Sequence, residues 1–203
     1  MKDEMDILRE VGSIAAGHGS IALSELLGRR INLRIPSVEL VPYDKAPDKM
    51  EKGKMEIAVL FRLLTGLKGE AVFMLDEKNA FKLVGLSYKV HAEETRMEVL
   101  TEVGISALKE IANIVTGAYL NAVGLMLKKV ILTFPPALIS GTIEEVLGMI
   151  LGSSGVSENV LLIEALFEAE QENIRGSFYL VLSQESAADI RQACMKMLKD
   201  LEE

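Results

Sequence analysis

Ten residues beginning at Glu10, EVGSIAAGHG, return a hundred positions later as EIANIVTGAY, beginning at Glu110. The same offset aligns Ile14 with Ile114, Gly17 with Gly117, Ala22 with Ala122, Leu27 with Leu127, Ile31 with Ile131 and Pro36 with Pro136. Further on, Gly69 and Leu75 meet Gly176 and Leu182 at an offset of 107, so the second copy carries seven extra residues. Each copy reads as helix, strands, helix. Two such units joined along one sheet would cover the facing edge strands that each would otherwise expose. The expectation is an α+β chain, one domain over 1–203 built from pseudo-repeats 1–92 and 93–203, with both long helices exposed on one side.

Within this frame, residues 3–28 read as a helix whose buried stripe is Ile7, Val11, Ile14 and Ile21, ended by Gly28. INLRIPSVELV reads as a strand bent or broken at Pro36, and MEIAVLFRL and GEAVFMLD as two more. EKNAFKLVGL is a short helix and YKVHAEETR a hinge. A second long helix spans 95–128, open to interruption at Gly104, and VILTF is read as the strand after it. TIEEVLGMIL carries a capping box, Thr142 with Glu145, and GSSG follows as a loop. NVLLIEALFEA and IRGSFYLVL are strands, and a helix from Glu185 closes the chain.

Composition narrows the function. A formal charge of -8 disfavours a nucleic-acid binder, whose affinity rests on many Lys and Arg contacts to phosphate. The lone Cys194 forbids an internal disulfide and fits an apolar helix face. The two histidines, His18 and His91, are too far apart in sequence to form a metal-site spacing. MKDEMDILRE is not a secretory signal, and the uncharged run Ile111 to Leu127 falls short of a membrane span. The expected location is cytoplasmic, without membrane insertion.

On each long helix one line of residues stays polar. Positions i, i+4, i+7 and i+11 fall close together. They are Asp6, Glu10, Ser13 and Gly17 in the first copy, and Ser106, Glu110, Asn113 and Gly117 in the second. A mid-helix glycine costs about 1 kcal/mol relative to alanine, so Gly17 and Gly117 suit a face that another molecule approaches closely.

Asp or Ser, three residues, Glu, two residues, Asn, twenty-two residues, Pro resembles the signature of the CheC/CheX/FliY phosphatases of chemotaxis. The second copy carries it in full as Ser106, Glu110, Asn113 and Pro136; the first carries Asp6, Glu10, Ser13 and Pro36, with Ser where Asn belongs. Two motif copies and the chain length resemble the CheC type. The resemblance implies hydrolysis of the aspartyl phosphate on the response regulator CheY. Glu110 would pair with a lysine of the regulator and Asn113 would hold the attacking water, with Ser106 and Pro136 as positioning elements. An Asn amide offers a donor and an acceptor on a short side chain, without a carboxylate's charge beside phosphate. The shorter Ser13 hydroxyl implies an impaired first site. No cofactor of its own is expected, since Mg²⁺ arrives with the phosphorylated partner. The resemblance also implies binding to the receptor deamidase CheD. A non-catalytic adaptor for CheY or CheD, or a part of a flagellar switch, are the alternatives.

Overall fold

The computed structural model describes residues 4–42, 45, 54–87, 101–154 and 159–202. The expected hinge at YKVHAEETR, with His91, and most of the polar loop after Pro42 lie outside them. The elements are α1 (Glu4–Leu27), β1 (Asn32–Pro42), β2 (Met55–Arg62), β3 (Gly69–Asp76), α2 (Glu77–Ser87), α3 (Glu102–Leu127), β4 (Ala137–Thr142), α4 (Ile143–Ser154), β5 (Asn159–Ala169), β6 (Ile174–Ser183) and α5 (Gln184–Glu202).

All six strands form a single sheet, in the order β1-β5-β6-β3-β2-β4, with every neighbouring pair antiparallel. The order is unchanged when β1, β2 and β3 exchange places with β4, β5 and β6. β3 and β6 sit side by side at the centre, and strands of the repeated segments pair with each other there and on both flanks.

One face of the sheet buries Phe61, Phe73, Leu75, Phe167, Phe178 and Leu180 beneath α1, α2, α3 and α5. Phe73 stacks on Phe167 with ring centroids 5.1 Å apart, and Tyr119 of α3 tilts against Phe178 at 4.9 Å. The opposite face buries Ala58, Val72, Met74, Leu162 and Val181 beneath α4. The capping box expected at the start of α4 is formed: the Thr142 amide donates to Glu145 Oε2 at 2.8 Å and the Glu145 amide to Thr142 Oγ1 at 3.3 Å. α4 continues into the GSSG stretch, ending at Ser154 rather than giving way to a loop there.

Three other expectations are corrected, and one is narrowed. Gly104 does not interrupt the second long helix, because it lies in the first turn of α3 with its amide held by Thr101 Oγ1 at 3.2 Å. VILTF is not a strand. The Lys129 amide bonds back to Gly124 O at 2.9 Å, so the chain clings to the end of α3 and makes only one bridge, Leu63 with Thr133. Pro135 and Pro136 then supply no amide donors, and pairing begins at Ala137. Pro36 bends the first strand without ending it: the β1–β5 register shifts between Arg34 and Ser37 and then resumes. The third correction concerns α1. Its buried stripe is Ile7, Leu8, Val11, Ala15, Ala16, Leu23 and Leu27, whereas Ile14 and Ile21 are exposed.

That rotation of α1 follows from small residues. A Cβ on Gly12 would lie 3.6 Å from the Tyr119 hydroxyl, and one on Gly19 would lie 3.3 Å from Leu33 and 3.7 Å from Val115 O. Gly12, Ala15, Ala16 and Gly19 therefore form the seam along which α3 packs, running antiparallel to α1. The helix turns to bury this seam and leaves Ile14 and Ile21 outside.

Candidate functional site

The seam fixes which sides of α1 and α3 remain available. On α3, Ala107, Leu108, Ile111, Ala112, Val115 and Tyr119 are buried, and Ser106, Glu110, Asn113 and Gly117 emerge on the opposite side. On α1 the corresponding exposed line is Asp6, Glu10, Ser13 and Gly17. Eleven residues of helix rise about 16 Å, so each line is long enough to meet a globular partner along its length.

The polar groups on these lines are largely unspent. Ser13, Glu10, Ser106, Glu110 and Asn113 make no side-chain hydrogen bond or ion pair among the described residues, while Asp6 takes a 3.4 Å contact from Arg9. Asn113 thus presents its amide donor and acceptor outward, one helical turn from the Glu110 carboxylate.

Nothing among the described residues explains the two glycines. A Cβ added to Gly17 or Gly117 meets no atom within 4 Å, in contrast to Gly12 and Gly19 in the seam and to Gly124, where it would lie 2.6 Å from Lys129 O. An interior reason for a mid-helix glycine is present at those three positions and missing at Gly17 and Gly117. The bare backbone there suits close approach from outside.

The motif prolines stand apart from the helical lines. Pro36 lies in β1 at the register shift, and Pro136 lies half-buried just before β4. Each belongs to the return from its long helix into the sheet. In the first return, the Ser20 and Ser24 hydroxyls bond to Ile31 O and the Ile31 amide donates to Ser24 Oγ at 3.0 Å. In the second, the Lys128 and Lys129 amides fold onto the last carbonyls of α3.

Sequence periodicity placed Ile14 and Ile21 in the core, but both lie on the open face of α1, Ile14 next to Ser13 and Ile21 one turn beyond Gly17; Ile21 is 59% exposed. The run of Gly and Ala at 12, 15, 16 and 19 was the available signal, since small residues mark the close helix contact. On α3 the aligned positions are the half-buried Ile114 and the exposed Asn121, so the two faces differ in apolar character as well as at Ser13 and Asn113. Among the described residues, no group of three or more His, Cys, Asp or Glu is placed to hold a metal ion, and His18 stands exposed beside Gly17.

The model of the CheC-like family matches residues 103–140, which span α3, Pro136 and the start of β4. The CheY-P phosphatase CheC of Bacillus subtilis is 33% identical over 124 residues, 60% of this chain and 58% of that protein. The chain is similar to members of the CheC/CheX/FliY family. The flagellar motor switch phosphatase FliY of the same organism is 26% identical over 133 residues, covering 66% of this chain and 34% of FliY. Both matches span less than two thirds of these curated relatives. The solved FliY of Thermotoga maritima shares the fold of this chain, with a TM-score of 0.73, 23% identity and coverage of 97% of this chain and 98% of that one.

Proposed function

We propose that this chain hydrolyses the aspartyl phosphate of a CheY-type response regulator at α3, with a weaker or purely docking site on α1. The observation that carries this reading is the outward Glu110–Asn113 pair, without side-chain partners among the described residues, beside the bare backbone of Gly117.

The chemistry needs little from this protein. Water attacks phosphorus, the bond from phosphorus to the aspartyl oxygen breaks, and inorganic phosphate and the regulator's free carboxylate result. Mg²⁺ brought by the regulator neutralises the phosphoryl oxygens. The contribution of this chain is to place the water in line. The Asn113 amide can accept one of the water's hydrogen bonds and hold it against phosphorus, and its neutrality avoids repelling the phosphoryl charge. Glu110, one turn away, fixes the register by pairing with a cation of the regulator. Ser106 and Pro136 support the helix and its return. Ser13 has a shorter reach and a freely turning hydroxyl, so Glu10 and Ser13, with Asp6 and Pro36, would dock the regulator and turn it over poorly.

CheD is the further partner that the resemblance implies. An adaptor without turnover is the second reading, favoured by the exposed Ile14 beside Ser13 and Ile21 beyond Gly17, which enlarge the apolar contact at the face lacking the amide. Mixing catalytic amounts of the chain with phosphorylated regulator and Mg²⁺ separates the two. Accelerated loss of phosphoprotein over many turnovers supports the phosphatase; stoichiometric complex formation with unchanged decay supports the adaptor.

A further inference from the structure

Past the end of α3, the segment 128–136 runs as an extended ribbon against the turn that follows β2. The Leu64 amide donates to Leu132 O at 2.7 Å, the Phe134 amide to Arg62 O at 2.9 Å and Thr65 Oγ1 to Val130 O at 2.9 Å. The single bridge pairs Leu63 with Thr133, so Leu64 stands opposite Leu132, and Arg62 opposite Phe134. With alternate residues on alternate faces, Val130, Leu132, Phe134, Leu64 and Arg62 share one face. Val130 is 72% exposed, and Leu132, Phe134 and Leu64 are each about half exposed. Leu125, in the last turn of α3 with its carbonyl bonded by the Lys128 amide, is 69% exposed.

The fold does not require these side chains to be apolar. A hundred residues earlier stand Glu25 for Leu125, Arg30 for Val130, Asn32 for Leu132 and Arg34 for Phe134. The strand registers set β2 against β5 at an offset of 104, which places Glu168 against Leu64. The four first-copy counterparts are exposed, and Glu168 is half-buried and paired with Arg175 at 3.4 Å. All five are polar, so a repeated frame that is satisfied with polar residues carries apolar ones at each position of the patch. Exposed apolar surface gathered in this way marks a contact site.

The rim identifies the partner. Lys128 and Arg62 border the patch in a chain whose net charge is -8, whereas Lys129 alternates to the other side, where Asp189 of α5 answers it at 2.6 Å. Arg62 is answered by Glu70 at 3.1 Å yet keeps exposed surface; Lys128 is exposed and has no side-chain partner among the described residues. The ribbon is a poor template for an added strand, because Pro135 and Pro136 have no amide to donate. Recognition here goes through side chains. We propose that the Leu125–Phe134 ribbon with Leu64 docks an amphipathic helix of a partner protein, one with an apolar stripe edged by Asp and Glu.

A fluorescent helical peptide of about five turns, with Leu at i, i+3, i+4 and i+7 and Glu elsewhere, is the probe. Its twin carries Lys for Glu. The Glu peptide should bind the full chain at least about tenfold more tightly than the Lys peptide, the preference shrinking as salt rises. The triple variant V130R/L132N/F134R, which installs the first copy's residues, and separately Leu64→Gln, should each weaken it by about tenfold. Unfolding curves matching wild type establish that both variants are folded. Equal binding of the two peptides, or no loss in either folded variant, overturns the proposal. So does self-association of the wild type that the triple variant abolishes, which would give this face to a second copy. Binding to phosphatidylserine vesicles that the triple variant loses would instead give it to a membrane.

Discussion

Gly117→Ala separates a reason inside the chain from a reason outside it. Gly117 lies in the middle of the 26-residue helix α3, and a Cβ built there meets no heavy atom within 4 Å. The methyl therefore introduces no clash, while alanine restricts the unfolded backbone and favours the helix by about 1 kcal/mol. For a chain of this size, that raises the melting temperature by about 2–4 °C. If a phosphorylated regulator must lie against the bare backbone next to Asn113, the same methyl holds it back. A displacement near 1 Å in a reacting geometry costs on the order of a hundredfold in rate. Thermal unfolding and loss of phosphoprotein, measured on the same preparation, should show a more stable and slower protein. Gly17→Ala should give the same stabilisation with little change in turnover if, as proposed, the Ser13 face only docks the regulator. Gly124→Ala is the internal control: its Cβ would lie 2.6 Å from Lys129 O, a backbone atom, so it should destabilise. A Gly117→Ala protein that is stabilised and fully active would refute the close-approach reasoning.

Ser13→Asn, made in an Asn113→Ala background, should restore measurable phosphate release, and failure to do so would mean that α1 lacks more than the amide. Gly176→Ala should destabilise by about 3 kcal/mol, because its Cβ would fall 2.0 Å from Phe167 Cε1 and 2.7 Å from Leu75 Cδ2; denaturant unfolding reads this directly, and a neutral result would contradict the packing of β5 on β6. Tyr119→Phe should stabilise by about 1 kcal/mol, since the buried Tyr119 hydroxyl has no hydrogen-bond partner among the described residues and burial drives its pKa upward; a loss of stability would show that the hydroxyl is satisfied.

What could be read from the sequence was whatever depends on local chemistry. The capping box at Thr142 and Glu145, the bend at Pro36 and the alternation of β5 and β6 are each written in a few adjacent residues. The position of Glu110 and Asn113 on one helical line follows from spacing alone. Facing is different, because it depends on what packs opposite. Ile14 and Ile21 fit an apolar period, yet the Gly and Ala seam places α3 on another side of α1 and leaves them in solvent. VILTF has strand composition, but the carbonyls at the end of α3 hold Lys128 and Lys129 first, and two prolines delay pairing. The exposed ribbon was hidden for the same reason: Val130, Leu132 and Phe134 look like core residues until their partner strand is known to be a short turn.

The most direct test of the central claim is a single-turnover comparison of wild type and Asn113→Ala, each saturating a phosphorylated CheY-type regulator with Mg²⁺ present. If the outward amide places the attacking water, the variant should bind the phosphoprotein as tightly as wild type and hydrolyse it roughly a hundredfold more slowly. Hydrolysis at the wild-type rate by a variant that binds normally would contradict the account.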